Sequence, residues 1–215
     1  MSIVTYNNRS VRNVSAVPGA ARSLVHIKTL TASSSATLTF LNGSSDVFFD
    51  STYPIYKFVY TSVHPSQQSI FSFQATTDGT NYNTSITSTA FGAYHAESGG
   101  DDSGDNNFPA AGANTGSDQA NGTAFQYLMS FGSNISDNDA AFSGELIMFN
   151  PWSTTFVKHF ISSNTRMDYS VRPYSNQYMV AGYINTTSAV DAIQFSMWSG
   201  NMDAGTIKLY GLKDS

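Results

Sequence analysis

The residues with chemical potential fall into three groups: an acidic cluster, four dispersed histidines, and aromatics that sit beside turns. The acidic cluster is Asp101, Asp102, Asp105 and Asn106. Calcium takes about six to eight oxygen ligands, and an EF-hand loop supplies them in a fixed order ending in Glu at position twelve. That position is Gly112 counted from Asp101 and Ala113 counted from Asp102, so the motif fails. A solvated loop tip accounts for the cluster, with an irregular calcium site as the alternative. Asp137, Asn138 and Asp139 read as an ordinary Asp/Asn turn.

His26, His64, His95 and His159 are far apart, and none stands in an HxH or HExxH arrangement, so zinc has no local support. Glutamate occurs only as Glu97 and Glu145. A glycosidase needs two carboxylates flanking the bond, one of them with a raised pKa. No aspartate is marked out as a partner for Glu145. A Gly-x-Ser-x-Gly elbow is absent, and no Ser, His and Asp stand in a recognisable context. These residues point to a chain without catalytic residues and without a cofactor.

The aromatics suggest binding instead. Trp152 follows the Asn150–Pro151 turn, Trp198 ends a strand, and Tyr82 and Tyr94 lie near turns. Such rings can stack on sugar faces, although most aromatics in a β-sandwich belong to its core. They are the candidate ligand platform.

Composition narrows the partners. Hydrophobic residues make up 40% of the 215, with 15 Phe and 12 Tyr, and charged residues only 12%. That charge is about half the usual share of roughly 25%, so Ser, Thr, Asn and Gly must supply the polar surface. A net charge of -5 with ten scattered Lys and Arg offers no basic footprint for nucleic acid. No run of about 18 apolar residues proposes a membrane span. With no cysteine, disulfides and thiolate sites drop out together. Residues 1–22 lack the apolar centre of a signal peptide, which implies synthesis in a cytoplasm.

These side chains must be positioned by strands. Short β-rich runs recur at 24–30, 36–41, 56–63, 69–76, 125–131, 141–149, 155–162, 179–185, 192–198 and 205–212. The Asp78–Gly79 pair predicts a hairpin that returns 82–88 against the preceding strand. No 3.6-residue period survives across eleven residues. The expected fold is an all-β, jelly-roll-like β-sandwich forming a single domain over 23–215. Residues 1–22 read as an extended arm, with Tyr6, Asn8, Arg9 and Arg12 as its attachment residues. Residues 97–122 read as a long Gly/Asp/Asn loop within the domain.

Several stretches resemble a family of virion structural proteins from tailed phages of aquatic bacteria, cyanophages among them. They are the run Ile55, Tyr56, Lys57, Phe58, Val59, Tyr60 followed by His64 and Pro65, and the run from Tyr82 through Phe91 to Tyr94 and His95. A third spans residues 143–159, and the last is 181–211, ending Asp203, Ala204, Gly205, Thr206, Ile207, Lys208, Leu209, Tyr210, Gly211. The likeness implies a non-enzymatic component of a bacteriophage particle, made in the host cytoplasm and carried on the virion. Its partners would be other virion proteins and further copies of itself, as a homotrimer. Capsid decoration or a knob is the expected role. A receptor- or glycan-binding module of a tail fibre or tail tip, reading a host surface glycan, is the alternative.

Overall fold

The computed structural model describes residues 24–96, 117–130, 141–169 and 173–213. The arm, with Tyr6, Asn8, Arg9 and Arg12, lies outside the described residues. So do residues 97–116 of the long loop and the turn at 137–139.

Alternation builds the strands. In β3 (Ile55–Pro65), Tyr56, Phe58 and Tyr60 are buried, while Ile55, Lys57 and Val59 between them face the other way, as a period of two requires. Ten further strands lie among the described residues: β1 (Leu24–Thr31), β2 (Thr37–Leu41), β4 (Ile70–Thr76), β5 (Ile86–Ala96), β6 (Gln126–Ser130), β7 (Phe142–Phe149), β8 (Lys158–Tyr169), β9 (Pro173–Ile184), β10 (Ala192–Met197) and β11 (Met202–Leu212). No helix occurs among the described residues.

The strands form two antiparallel sheets. One has seven strands in the order β1-β11-β3-β7-β8-β9-β5, and the other has four in the order β2-β10-β4-β6. Rings from both meet in one core. Phe40 of β2 lies 5.2 Å from Phe58 of β3, Tyr60 lies 5.2 Å from Phe71 of β4, and Phe73 lies 5.1 Å from Phe160 of β8. Phe195 of β10 is the hub, in ring contact with Phe40, Phe58, Tyr60, Phe71 and Phe73. Such contacts add to the burial of large apolar area. The all-β sandwich expected from the sequence is the architecture observed.

Two local expectations differ. The Asp78–Gly79 turn does not close a hairpin onto β4. Instead β5 crosses to the far edge of the other sheet and pairs with β9, Ile86 opposite Ile184 and Ala90 opposite Val180. The turn is self-sufficient, because Asp78 Oδ1 accepts from the amides of Thr80 and Asn81 at 2.9 and 2.8 Å. Buried Gln74 then fixes the crossing by donating to the carbonyls of Thr84, Thr123 and Ala124. The second difference is length: β8 runs on to Tyr169, and β9 begins at Pro173. Ser162, Asn164 and Arg166 of β8 are buried, so polar residues occupy positions where alternation would look for apolar ones.

Candidate functional site

Three surfaces have the chemistry to bind. The first is the outer face of the four-stranded sheet. Its inward positions are Leu38, Phe40, Phe71, Phe73, Ile193 and Phe195, which leaves Thr37, Thr39, Gln194 and Ser196 pointing out on β2 and β10. The outward Ser72, Gln74 and Thr76 of β4 are themselves buried, Gln74 beneath the carbonyls of Thr84, Thr123 and Ala124, so the open part of the face is its β2–β10 half. Thr39 pairs with Gln194 across β2 and β10, and Gln194 Nε2 donates to Thr39 Oγ1 at 3.0 Å. At one end of this face Trp198 is 68% exposed. It stacks on Tyr127 of β6, ring centroids 5.7 Å apart and planes 29° from parallel.

Trp198 is held by the loops around it. Its amide donates to the Ile70 carbonyl at 2.9 Å, and the Ser199 amide donates to Ser69 Oγ at 3.0 Å. The Asn201 amide donates to Ser66 Oγ at 2.8 Å. The β3–β4 and β10–β11 connections are thus sewn together beneath the indole.

Tyr82 stands at the other end of the same face, half-buried against Thr39. Desolvation raises its phenol above the ordinary value, the Thr39 hydroxyl opposes this, and Asp191 and Asp78 add to the rise. The backbone and side-chain amides of Asn81 hold the Asp78 carboxyl well below the usual carboxylate range, with help from Thr80 and Thr76. Of the four sequence candidates, Trp198 and Tyr82 therefore share a face. Trp152 serves the fold: it packs against the core, and its indole N–H donates to the Tyr53 carbonyl at 3.1 Å. Tyr94 pairs with Asn176 at the edge of the larger sheet, its side chain lying outside what the structure describes. Tyr127 escaped the sequence reading because a register shift in β6 against β4 breaks the alternation around it.

The second surface is a cleft of about 330 Å³ beside the terminal strand β1, lined by His26 and its neighbours, Asp46, Phe48, Asp50 and Tyr53. Its wall is rigid. Tyr56 Oη accepts from the Asp50 amide at 2.9 Å and donates toward the carbonyls of Phe48 and Asp50 at 2.9 and 3.0 Å. Burial pushes this phenol up to about 12. Ser45 and Asp46 both adopt left-handed backbone, φ 51 and 69, closing a tight turn between Ser44 and Val47 that Asn and Gly normally occupy. The cleft combines carboxylates, an imidazole and an exposed ring.

The third surface is the outer face of the seven-stranded sheet. Ile147, Ile161 and Ala181 sit side by side across β7, β8 and β9, and Met179 lies opposite Phe91 across β9 and β5. Ile161 is 43% and Phe91 42% exposed. Lys57 and Glu145 form an ion pair of 2.5 Å on the same face, so Glu145 faces away from the core and from the cleft. Among the described residues no group of three or more His, Asp or Glu could hold a metal, and no helix is long and apolar enough to cross a membrane.

Buried Lys158 needs its own account. Its ammonium donates to the carbonyls of Phe156 and Thr186 at 2.8 and 3.0 Å, and desolvation lowers its pKa. The side chain ties the 150–157 connection to the one after β9, a structural role. The chain matches no protein-family model, no curated protein and no solved structure.

Proposed function

We propose that this chain is a non-enzymatic structural protein of a tailed-phage particle, carried on its outer surface as a self-associating jelly roll. Strand order is the observation that carries the reading. Without β5, β8 and β9, the sheets read β1-β11-β3-β7 and β2-β10-β4-β6. Numbered afresh in chain order, these eight strands interleave as 1-8-3-6 and 2-7-4-5, the order that two nested Greek keys would produce. Viral capsid proteins use that arrangement, and so do lectins. The three omitted strands widen the first sheet beyond β7.

The widened sheet supports self-association. The apolar strip of Ile147, Ile161, Ala181, Met179 and Phe91 is laid out on it in register, and contiguous apolar surface of this kind marks protein contact. A second copy is its expected occupant, and three copies the expected assembly. The arm, through Tyr6, Asn8, Arg9 and Arg12, would then reach other virion proteins.

Mass spectrometry and antibody labelling of gradient-purified particles test the placement. The chain should be present in stoichiometric amount and its label confined to the particle surface. Deleting residues 2–21 should abolish attachment while leaving the oligomer intact by light scattering. A chain found only in the soluble fraction of the lysate overturns the reading.

A further inference from the structure

We propose that the β2–β10 half of the outer face of the four-stranded sheet is a binding site for an uncharged polysaccharide, with Trp198 and Tyr127 as the stacking platform and Thr37, Thr39, Gln194 and Ser196 as the floor. The site goes beyond the structural role and does not depend on whether the chain sits on a phage particle.

The two outer faces of the sandwich differ in kind. The larger sheet presents an apolar strip beside the Lys57–Glu145 ion pair, which suits another protein. On the smaller sheet, β2 and β10 present hydroxyls and an amide beside one exposed indole, which suit a sugar. A pyranose ring has an apolar C–H face and a rim of hydroxyls. It therefore needs a flat aromatic beside donors and acceptors of modest strength. Trp198 provides the flat surface: one side rests on Tyr127, and with 68% of the residue exposed the other side is open to solvent. Its backbone is already fixed through Ile70, and its neighbours through Ser69 and Ser66. Little ordering entropy is lost when a ligand arrives.

Charge selects the ligand class. The strands of this sheet read TLTFL, IFSFQAT, QYLMS and AIQFSM, without one charged residue. Uronate, sialate or sulfate groups call for Arg or Lys to meet them, and this sheet supplies neither. The ionisable groups beside Tyr82 at the far end are Asp78 and Asp191, which repel anions and accept hydrogen bonds from sugar hydroxyls.

The dimensions suit a chain rather than a single sugar. Gln194, opposite Thr39, and Trp198 are four residues apart along one strand direction, roughly 13 Å at about 3.3 Å per residue. Tyr82 marks one end of this span and Trp198 the other, so several linked rings can lie along the floor.

The test uses the full chain on an array of neutral and acidic glycans, followed by titration of maltohexaose, cellohexaose and chitohexaose against a heparin hexasaccharide control. Saturable binding to at least one neutral glycan, with a shift in tryptophan emission, is expected. Trp198→Ala should weaken it about tenfold or more, and Gln194→Ala should weaken it less. Trp152→Phe should leave it in place, because that indole belongs to the fold. Binding confined to acidic glycans, binding indifferent to Trp198→Ala, or no neutral glycan bound across the array would each overturn the proposal. Failure here leaves the particle reading untouched, since that is read from virion composition.

Discussion

The carbonyl oxygen of Ser62 lies 2.6 Å from the position a Cβ on Gly205 would occupy. Ser62 has φ 50 and Gly205 φ 107, and the pairing of β3 with β11 shifts register at this level. The two strands bulge against each other, a device that adds twist to a sheet. It also reverses the phase of β3, so that Val63 re-enters the core after exposed Thr61 and Ser62. The Ser62 amide finds its acceptor on Ser143 Oγ at 3.1 Å. Glycine is required here for both space and backbone conformation.

Gly205→Ala should therefore destabilise the protein by about 1–3 kcal/mol. Each kcal/mol corresponds to roughly 2–4 °C in Tm for a chain of this size. Thermal denaturation followed by circular dichroism measures the shift, and an unchanged Tm would show that the bulge can relax around a methyl group.

Tyr56 closes the wall of the β1 cleft from inside the core. Tyr56→Phe leaves the Asp50 amide and the Phe48 carbonyl without their partner, at a cost of about 1–3 kcal/mol in urea denaturation at neutral pH. The wild-type phenol also predicts a pH effect. Its folded pKa is about 12, against about 10 in an unfolded chain. Below pH 10 both states keep the proton and the contribution is complete. From pH 10 to 12 only the unfolded state ionises, so wild-type stability falls as pH rises. The gap between wild type and Tyr56→Phe should narrow over that window; a constant gap would count against a buried neutral phenol.

Phe195 touches five other rings and is fully buried. Phe195→Ala should cost about 3–5 kcal/mol, because rings from both sheets line the cavity it leaves. Phe48→Ala is the control, since Phe48 is 54% exposed, and surface changes usually stay within about 0.5 kcal/mol. Urea midpoints for the two variants should separate clearly, and similar midpoints would mean that the ring cluster is not the centre of stability.

How much of this was legible in the sequence depends on how local the signal is. The alternation of Tyr56, Phe58 and Tyr60 is written into five consecutive residues, which is enough to place β3. The partner of β5 is not legible, because β9 lies far along the chain and Asp78–Gly79 offers a nearer turn. The far half of β8 is hidden for a different reason. Ser162 Oγ donates to the Glu145 carbonyl at 2.8 Å and Asn164 Nδ2 to the Leu128 carbonyl at 3.0 Å, so its inward face is polar and hydrogen-bonded through these donors. A hydrophobic pattern cannot detect such a strand. At the candidate site, the place of Trp198 at a strand end was visible. Its stacking on Tyr127 was not, since the pairing of β4 with both β6 and β10 brings the rings together.

The outer face of the larger sheet gives the last prediction. Ile161 lies between Ile147 and Ala181 in register, and Phe91 lies opposite Met179 nearby. If a second copy covers this strip, a carboxylate placed there would be desolvated without a partner, which is strongly unfavourable. Ile161→Glu and Phe91→Glu should each convert the oligomer to monomer on size-exclusion chromatography with light scattering. Both sites are more than two-fifths exposed in the single chain, so the monomers should keep wild-type circular dichroism and a nearly unchanged urea midpoint. Thr37→Glu, on the opposite sheet, should leave the oligomer whole. An assembly that survives both apolar-face variants would place the contact elsewhere, and one that also fails with Thr37→Glu would point to general charge repulsion rather than a defined interface.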